Sequence, residues 1–171
     1  MQNAEDIPTD FCFDFDEVAH YQIEMSDEAV YALLDVEIDT NNIDIYKDAQ
    51  HLNEILCEDY PTICTDTTFI DDLINFNFQK QNIVPEQFES LSKALCGKPQ
   101  PNQIFNICQP IYRDILVFKK DNRINGIAKI CFGCQQKYLL RPNATFLSIQ
   151  ASVGYNTLHR IFTENKKLKT K

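Results

Sequence analysis

The sequence predicts an α+β domain: an antiparallel sheet that includes a hairpin over 112–132, with several helices packed on it. Three observations carry this expectation. The chain opens with a period-two stretch, in which Phe11, Phe13 and Phe15 alternate with Cys12 and Asp14. Apolar residues then recur at helical spacing through the middle of the chain. Last, two β-rich runs, Ile115–Phe118 and Ile124–Phe132, flank a polar turn. Strands and helices are thus segregated, which argues against alternating βαβ units.

Taken in order, residues 1–10 read as a flexible leader, 11–165 as one α+β domain and 166–171 as a basic tail. Val18 to Met25 extends the first strand. Ser26 is a helix N-cap, and Asp27 and Glu28 follow in the first turn, where the helix dipole favours carboxylates. Val30, Leu33 and Leu34 form the expected buried stripe of this short helix, and Asn41-Asn42 reads as a loop. Ile45, Ala49, Leu52 and Leu56 mark a second helix, ended by Tyr60-Pro61. A third starts near Asp66 with Phe69, Ile70, Leu73 and Ile74 on one face. A fourth has Pro85 in its first turn, buries Phe88, Leu91 and Leu95, and stops at Gly97, with Pro99 and Pro101 beyond.

The hairpin turn is placed at Asp121-Asn122. Asn125-Gly126 is the rival, since Asn-Gly suits a type I′ turn, but it would draw the polar run Lys119–Arg123 into a strand. Thr145 to Ile149 reads as another strand, and Tyr155, Leu158, Ile161 and Phe162 as a closing helix.

Composition narrows the function classes. Of 171 residues, 44% are hydrophobic and 24% charged, with 12 Phe and 7 Tyr, which is the make-up of a packed globule and excludes disordered, collagen-like and coiled-coil chains. No apolar run approaches the roughly 20 residues of a membrane-spanning helix. The net charge of −9 conceals a division: residues 1–72 hold 20 of the 25 acids and one base, Lys47, and carry −19, whereas residues 73–171 carry +10. A field of one sign costs stability by self-repulsion. Packing the two halves together relieves part of it, and the remaining acidic surface is expected to face a basic partner. The candidate contacts are Asp14, Asp16, Glu17, Tyr21, Glu24, Asp35, Glu37 and Asp39, with tyrosine as the anchor. On this reading the chain is a non-catalytic binding module. It would be an acidic inhibitor or immunity-type protein that occludes a basic protein such as a toxin, by class-level analogy. Nucleic acid is not an expected partner.

Two alternatives rest on side-chain chemistry. Cys131-Phe132-Gly133-Cys134 is the one compact motif, able to close a small disulfide or to offer two ligands to zinc, with a packed thiol pair or a stabilising disulfide as the plainer reading. Zinc needs about four ligands, and no second C-x-x-C exists. No cofactor is otherwise expected. The second alternative is a hydrolase with a dispersed active site using His20, His51 or His159, for which ordinary surface or half-buried positions are the simpler expectation. Residues 35–46 begin like a calcium loop but place Thr40 where glycine is needed and Tyr46 where glutamate is needed. Phosphate-cradling, nucleophile-elbow and H-E-x-x-H motifs are absent. Seven cysteines is an odd number, so at least one thiol is unpaired within a monomer. The expected compartment is cytoplasmic for the chain as it stands, and periplasmic or secreted if a signal segment preceded it.

Overall fold

The computed structural model describes residues 13–38, 42–96, 108–142, 144–150 and 154–168. Six strands, β1 (Glu17–Gln22), β2 (Gln79–Asn82), β3 (Asp114–Lys120), β4 (Arg123–Cys131), β5 (Gln136–Arg141) and β6 (Ala144–Gln150), make one sheet in the order β2-β1-β3-β4-β5-β6. Every neighbouring pair is antiparallel. The helices are α1 (Asp27–Ala32), α2 (Ile43–Cys57), α3 (Thr68–Asn75), α4 (Phe88–Cys96) and α5 (Tyr155–Leu168). The α+β class and the hairpin are therefore as expected from sequence.

Helices cover both faces of the sheet. On one face Val30, Leu52, Ile55, Leu56, Phe69 and Leu73 of α1–α3 pack with Tyr21, Ile115, Val117, Ile127 and Tyr138. On the other, Leu91 and Leu95 of α4 and Leu158, Ile161 and Phe162 of α5 pack with Val18, Leu116, Phe118, Ala128, Ile130 and Leu139. Successive strand residues point to opposite faces, so a strand between two helical layers is apolar along its length. That is why Ile115–Phe118 is a continuous run and not an alternating one.

Local chemistry explains the boundaries. The Ser26 hydroxyl accepts the Ala29 N–H at 3.2 Å and caps α1. A 3-10 turn, Pro85–Gln87, leads into α4 with its proline at the first turn. Asp121 and Asn122 both take positive φ, 49° and 62°, the conformation a type I′ hairpin turn needs, so the turn lies where the polar run placed it. The rival pair lies inside β4, where Asn125 is the extra residue of a bulge: Phe118 pairs with Gly126 and Lys119 with Ile124. Gly126 also lies under the ring of Phe13, and a Cβ there would enter that ring.

Several expectations are corrected. Phe13 to Phe15 precede β1 and are not part of a strand; Phe13 stacks on Phe118 with ring centroids 4.2 Å apart. Leu34, Ile45 and Ile74, placed on buried helix faces, are 59%, 60% and 57% exposed. Strands β2 and β5 were not expected. The helix α5 runs through Lys166 to Leu168, so the first part of the basic tail is helical. Residues 1–10, Phe11, Cys12, Asp39, Asn41 and Gly97 lie outside the described residues.

Candidate binding face

The α1–α3 layer carries the acidic charge of the chain. Between 24 and 75 the described residues include thirteen carboxylates and one base, Lys47. The α4–α5 layer is balanced, with Lys93 paired to Glu89 at 2.5 Å and Arg160 to Glu164 at 3.5 Å. Among the described residues, all seven exposed large hydrophobic residues also belong to the acidic layer, and five of them, Tyr31, Leu34, Ile38, Ile43 and Ile45, lie on the stretch 31–45. Asp35 and Glu37, which follow α1, and Asp44 and Asp48, in the first turns of α2, are exposed as well.

The expected contact residues divide into two groups. Glu24, Asp35 and Glu37 are exposed on this layer and have no ion-pair partner among the described residues. Asp14, Asp16 and Glu17 lie instead beside the β3–β4 turn, where basic residues of the second half meet them. Asp14 pairs with Lys120 at 3.2 Å, Glu17 with Lys119 at 3.4 Å, and Asp16 accepts the Asp121 N–H at 3.0 Å. Tyr21 is corrected outright: it is 2% exposed, inside the α1–α3 core, and cannot anchor a partner. Its strand is covered on both faces, so neither alternating set reaches solvent. Asp39 lies outside the described residues.

The layer is tied to the sheet from below. Lys129 is buried and donates to the carbonyls of Glu58 at 2.6 Å and Tyr60 at 2.9 Å. The Tyr138 hydroxyl lies 2.7 Å from the Pro61 carbonyl and 3.2 Å from that of Asp59. Four successive carbonyls after α2 are thus met by two sheet side chains. The ammonium of Lys129 also lies over the Tyr112 and Tyr138 rings, at 4.6 and 5.4 Å. Burial pulls Lys129 down to about 7, opposed by the negative field of Asp59, Cys57 and Glu58. Burial raises Tyr138 to about 12 and pushes Tyr112 higher still. At the rim, Arg113 donates to the Met25 carbonyl at 2.6 Å and pairs with Asp27, fixing the start of α1 against β3.

A second tie joins α2 to α3. The His51 ring holds Glu54 through Nδ1 at 3.0 Å and Asp72 through Nε2 at 2.9 Å, and Tyr60 donates to the same Asp72 oxygen at 3.2 Å. Partial burial lowers the His51 pKa, but hydrogen bonds and charge from Glu54 and Asp72 outweigh it and the net shift is upward. Tyr60 is raised to about 12 by burial and by Asp72. Protonated, the His51 ring donates to both carboxylates and so bridges α2 to α3. His20, expected at a surface or half-buried position, is fully buried. It donates from Nε2 to Asp114 at 2.8 Å, its Nδ1 meets the Gln81 amide at 2.9 Å, and it stacks on Phe162. His159 is exposed and stands edge-on to Phe132.

The cysteine motif is not a pair. Cys134 is bonded to Cys108, with Cα atoms 5.9 Å apart, and Cys131 is a buried free thiol, as is Cys64. Connectivity of this kind cannot be read from spacing alone. With Cys134 so engaged, the two sulfurs do not form the half-site that zinc would need. Among the described residues no three His, Cys, Asp or Glu side chains gather in a metal-holding group.

Fold and face together define an α+β sandwich with one anionic, apolar-studded helical layer. No family model matches the chain, and no curated protein and no solved structure matches it either. No helix among the described residues is long and apolar enough to cross a membrane.

Proposed function

We propose that the protein is a non-catalytic binding module whose α1–α3 layer docks on, and occludes, a basic protein partner, as an inhibitor or immunity-type protein does. One observation carries this reading: among the described residues, the exposed large apolar side chains and most of the carboxylates without an ion pair coincide on the α1–α3 layer. Apolar side chains supply the area removed from water, and the carboxylates speed encounter and reject anionic competitors. The partner this chemistry fits is a cationic surface with its own apolar side chains, such as an amphipathic helix rich in lysine and leucine. The contact set is Glu24, Asp35, Glu37, Asp44 and Asp48 around Leu34, Ile38 and Ile45. The Cys108–Cys134 disulfide favours an oxidising compartment, the periplasmic or secreted branch of the sequence reading.

The test uses an amphipathic lysine–leucine helical peptide as the probe, with association followed by stopped-flow fluorescence. The on-rate should fall about tenfold or more as salt rises from low to physiological strength. A Asp35→Lys/Glu37→Lys/Asp44→Lys variant should slow association, whereas Glu89→Lys on the opposite layer should not. A salt-insensitive rate, or equal effects from the two layers, would overturn the proposal.

A further inference from the structure

The docking face leaves the cysteine motif unused, yet its geometry is specific. Cys131 ends β4 and pairs with Gln136 across the turn that contains Cys134. The Cys131 sulfur accepts two backbone N–H groups, from Cys134 at 3.4 Å and from Ile111 at 3.3 Å. It is thus held against the backbone of one half-cystine, Cys134, and near the segment that carries the other, Cys108. A tight turn brings its first and fourth Cα atoms within about 7 Å, and a disulfide spans about 4.4–6.8 Å between Cα atoms. The Cys131 sulfur, in contact with the Cys134 N–H at 3.4 Å, thus lies beside the half-cystine that is bonded to Cys108.

We propose that Cys108, Cys131 and Cys134 form a thiol–disulfide exchange site that delivers a free thiol to the surface at Cys108. Cys131 loses its proton and its sulfur attacks the Cys134 sulfur. The Cys131–Cys134 bond forms as the Cys134–Cys108 bond breaks, and Cys108 leaves as a thiolate that takes up a proton. One disulfide replaces another, so no outside oxidant or reductant enters. The two isomers differ in what they expose. Cys131 is buried and Cys108 is exposed, so exchange moves the reactive group from core to solvent.

Trypsin separates the isomers, because Cys131 and Cys134 share peptide 130–137 while Cys108 lies in peptide 94–113. The folded protein, free of reductant at pH 8, is incubated with N-ethylmaleimide, quenched in acid, digested and mapped by mass spectrometry. The link between 130–137 and 94–113 should decay with time into an internally looped 130–137 and a 94–113 labelled at Cys108, the latter still carrying the separate disulfide of Cys96. In a Cys131→Ser variant, Cys108 labelling should drop to background. In Cys108→Ser, mild oxidation should yield the looped 130–137 peptide. The inference is overturned if Cys108 in the folded wild-type protein stays unlabelled, or labels equally without Cys131. It is overturned too if folded Cys108→Ser keeps Cys131 and Cys134 reduced under oxidation. If either serine variant fails to fold, wild-type trapping alone decides.

Discussion

Replacing Lys129 with methionine should change how stability depends on pH, in a direction and amount set by the structure. The lysine titrates near 10.5 when exposed and at about 7 in the folded protein, because burial disfavours its charge. Between those values the unfolded chain holds a proton that the folded chain lacks, so folding releases it and stability rises with pH. The penalty is complete below pH 7, shrinks as pH climbs from 7 towards 10.5, and is gone above. At about 1.36 kcal/mol per pKa unit, it amounts to about 4 kcal/mol at pH 7 and about 2 kcal/mol at pH 9. Methionine fills similar space and does not titrate. It also withdraws the donor from the carbonyls of Glu58 and Tyr60, a cost that does not vary with pH. The stability of the wild type minus that of Lys129→Met should therefore become more favourable to the wild type by about 2 kcal/mol between pH 7 and pH 9. Urea unfolding of both proteins at the two pH values measures this, and shared titrations cancel in the difference. Parallel pH profiles would refute the assignment of Lys129 as a desolvated ammonium.

Three further perturbations test the packing. Gly126→Ala pushes a methyl group into the Phe13 ring, which is already stacked on Phe118, and should cost about 1–3 kcal/mol by chemical unfolding, with Phe13→Leu restoring part of it in the double variant. Asp114→Ala strips the acceptor from His20 and from the Gln22 amide, 3.0 Å away, and should cost about 3 kcal/mol, while Asp114→Asn, which keeps an acceptor, should cost less. Ser26→Ala removes the cap of α1 and should cost about 1 kcal/mol, with amide exchange accelerating first at Ala29.

The parts of the fold legible in the sequence are those fixed by local chemistry. Ser26 caps a helix, Pro85 opens one, and Asp121-Asn122 turns a hairpin, each through atoms within a few residues of itself. The elements that escaped notice depend on distant partners. Strand β2 is Gln-Lys-Gln-Asn and has no apolar period; it is a strand because its backbone pairs with β1. Ile45 and Ile74 fit a helical stripe by spacing, but the stripe is wider than the surface the sheet offers, and its edge residues remain outside. Tyr21 reads as exposed only if β1 has one wet face, and nothing local shows that a second helical layer covers it. At the candidate site, the charge division was legible as arithmetic. Which carboxylates stay uncompensated was not, since Asp14 and Glu17 meet Lys120 and Lys119 across about a hundred residues of chain.

The short border strand β2 has a consequence for how this protein avoids sticking to itself. It is only four residues long, three of its side chains face solvent, and one of those is a lysine. A growing ladder of strands needs a long, greasy margin to copy, and this margin is brief, hydrated and charged. Self-association through that rim is disfavoured, and β1 behind it stays a fully paired interior strand.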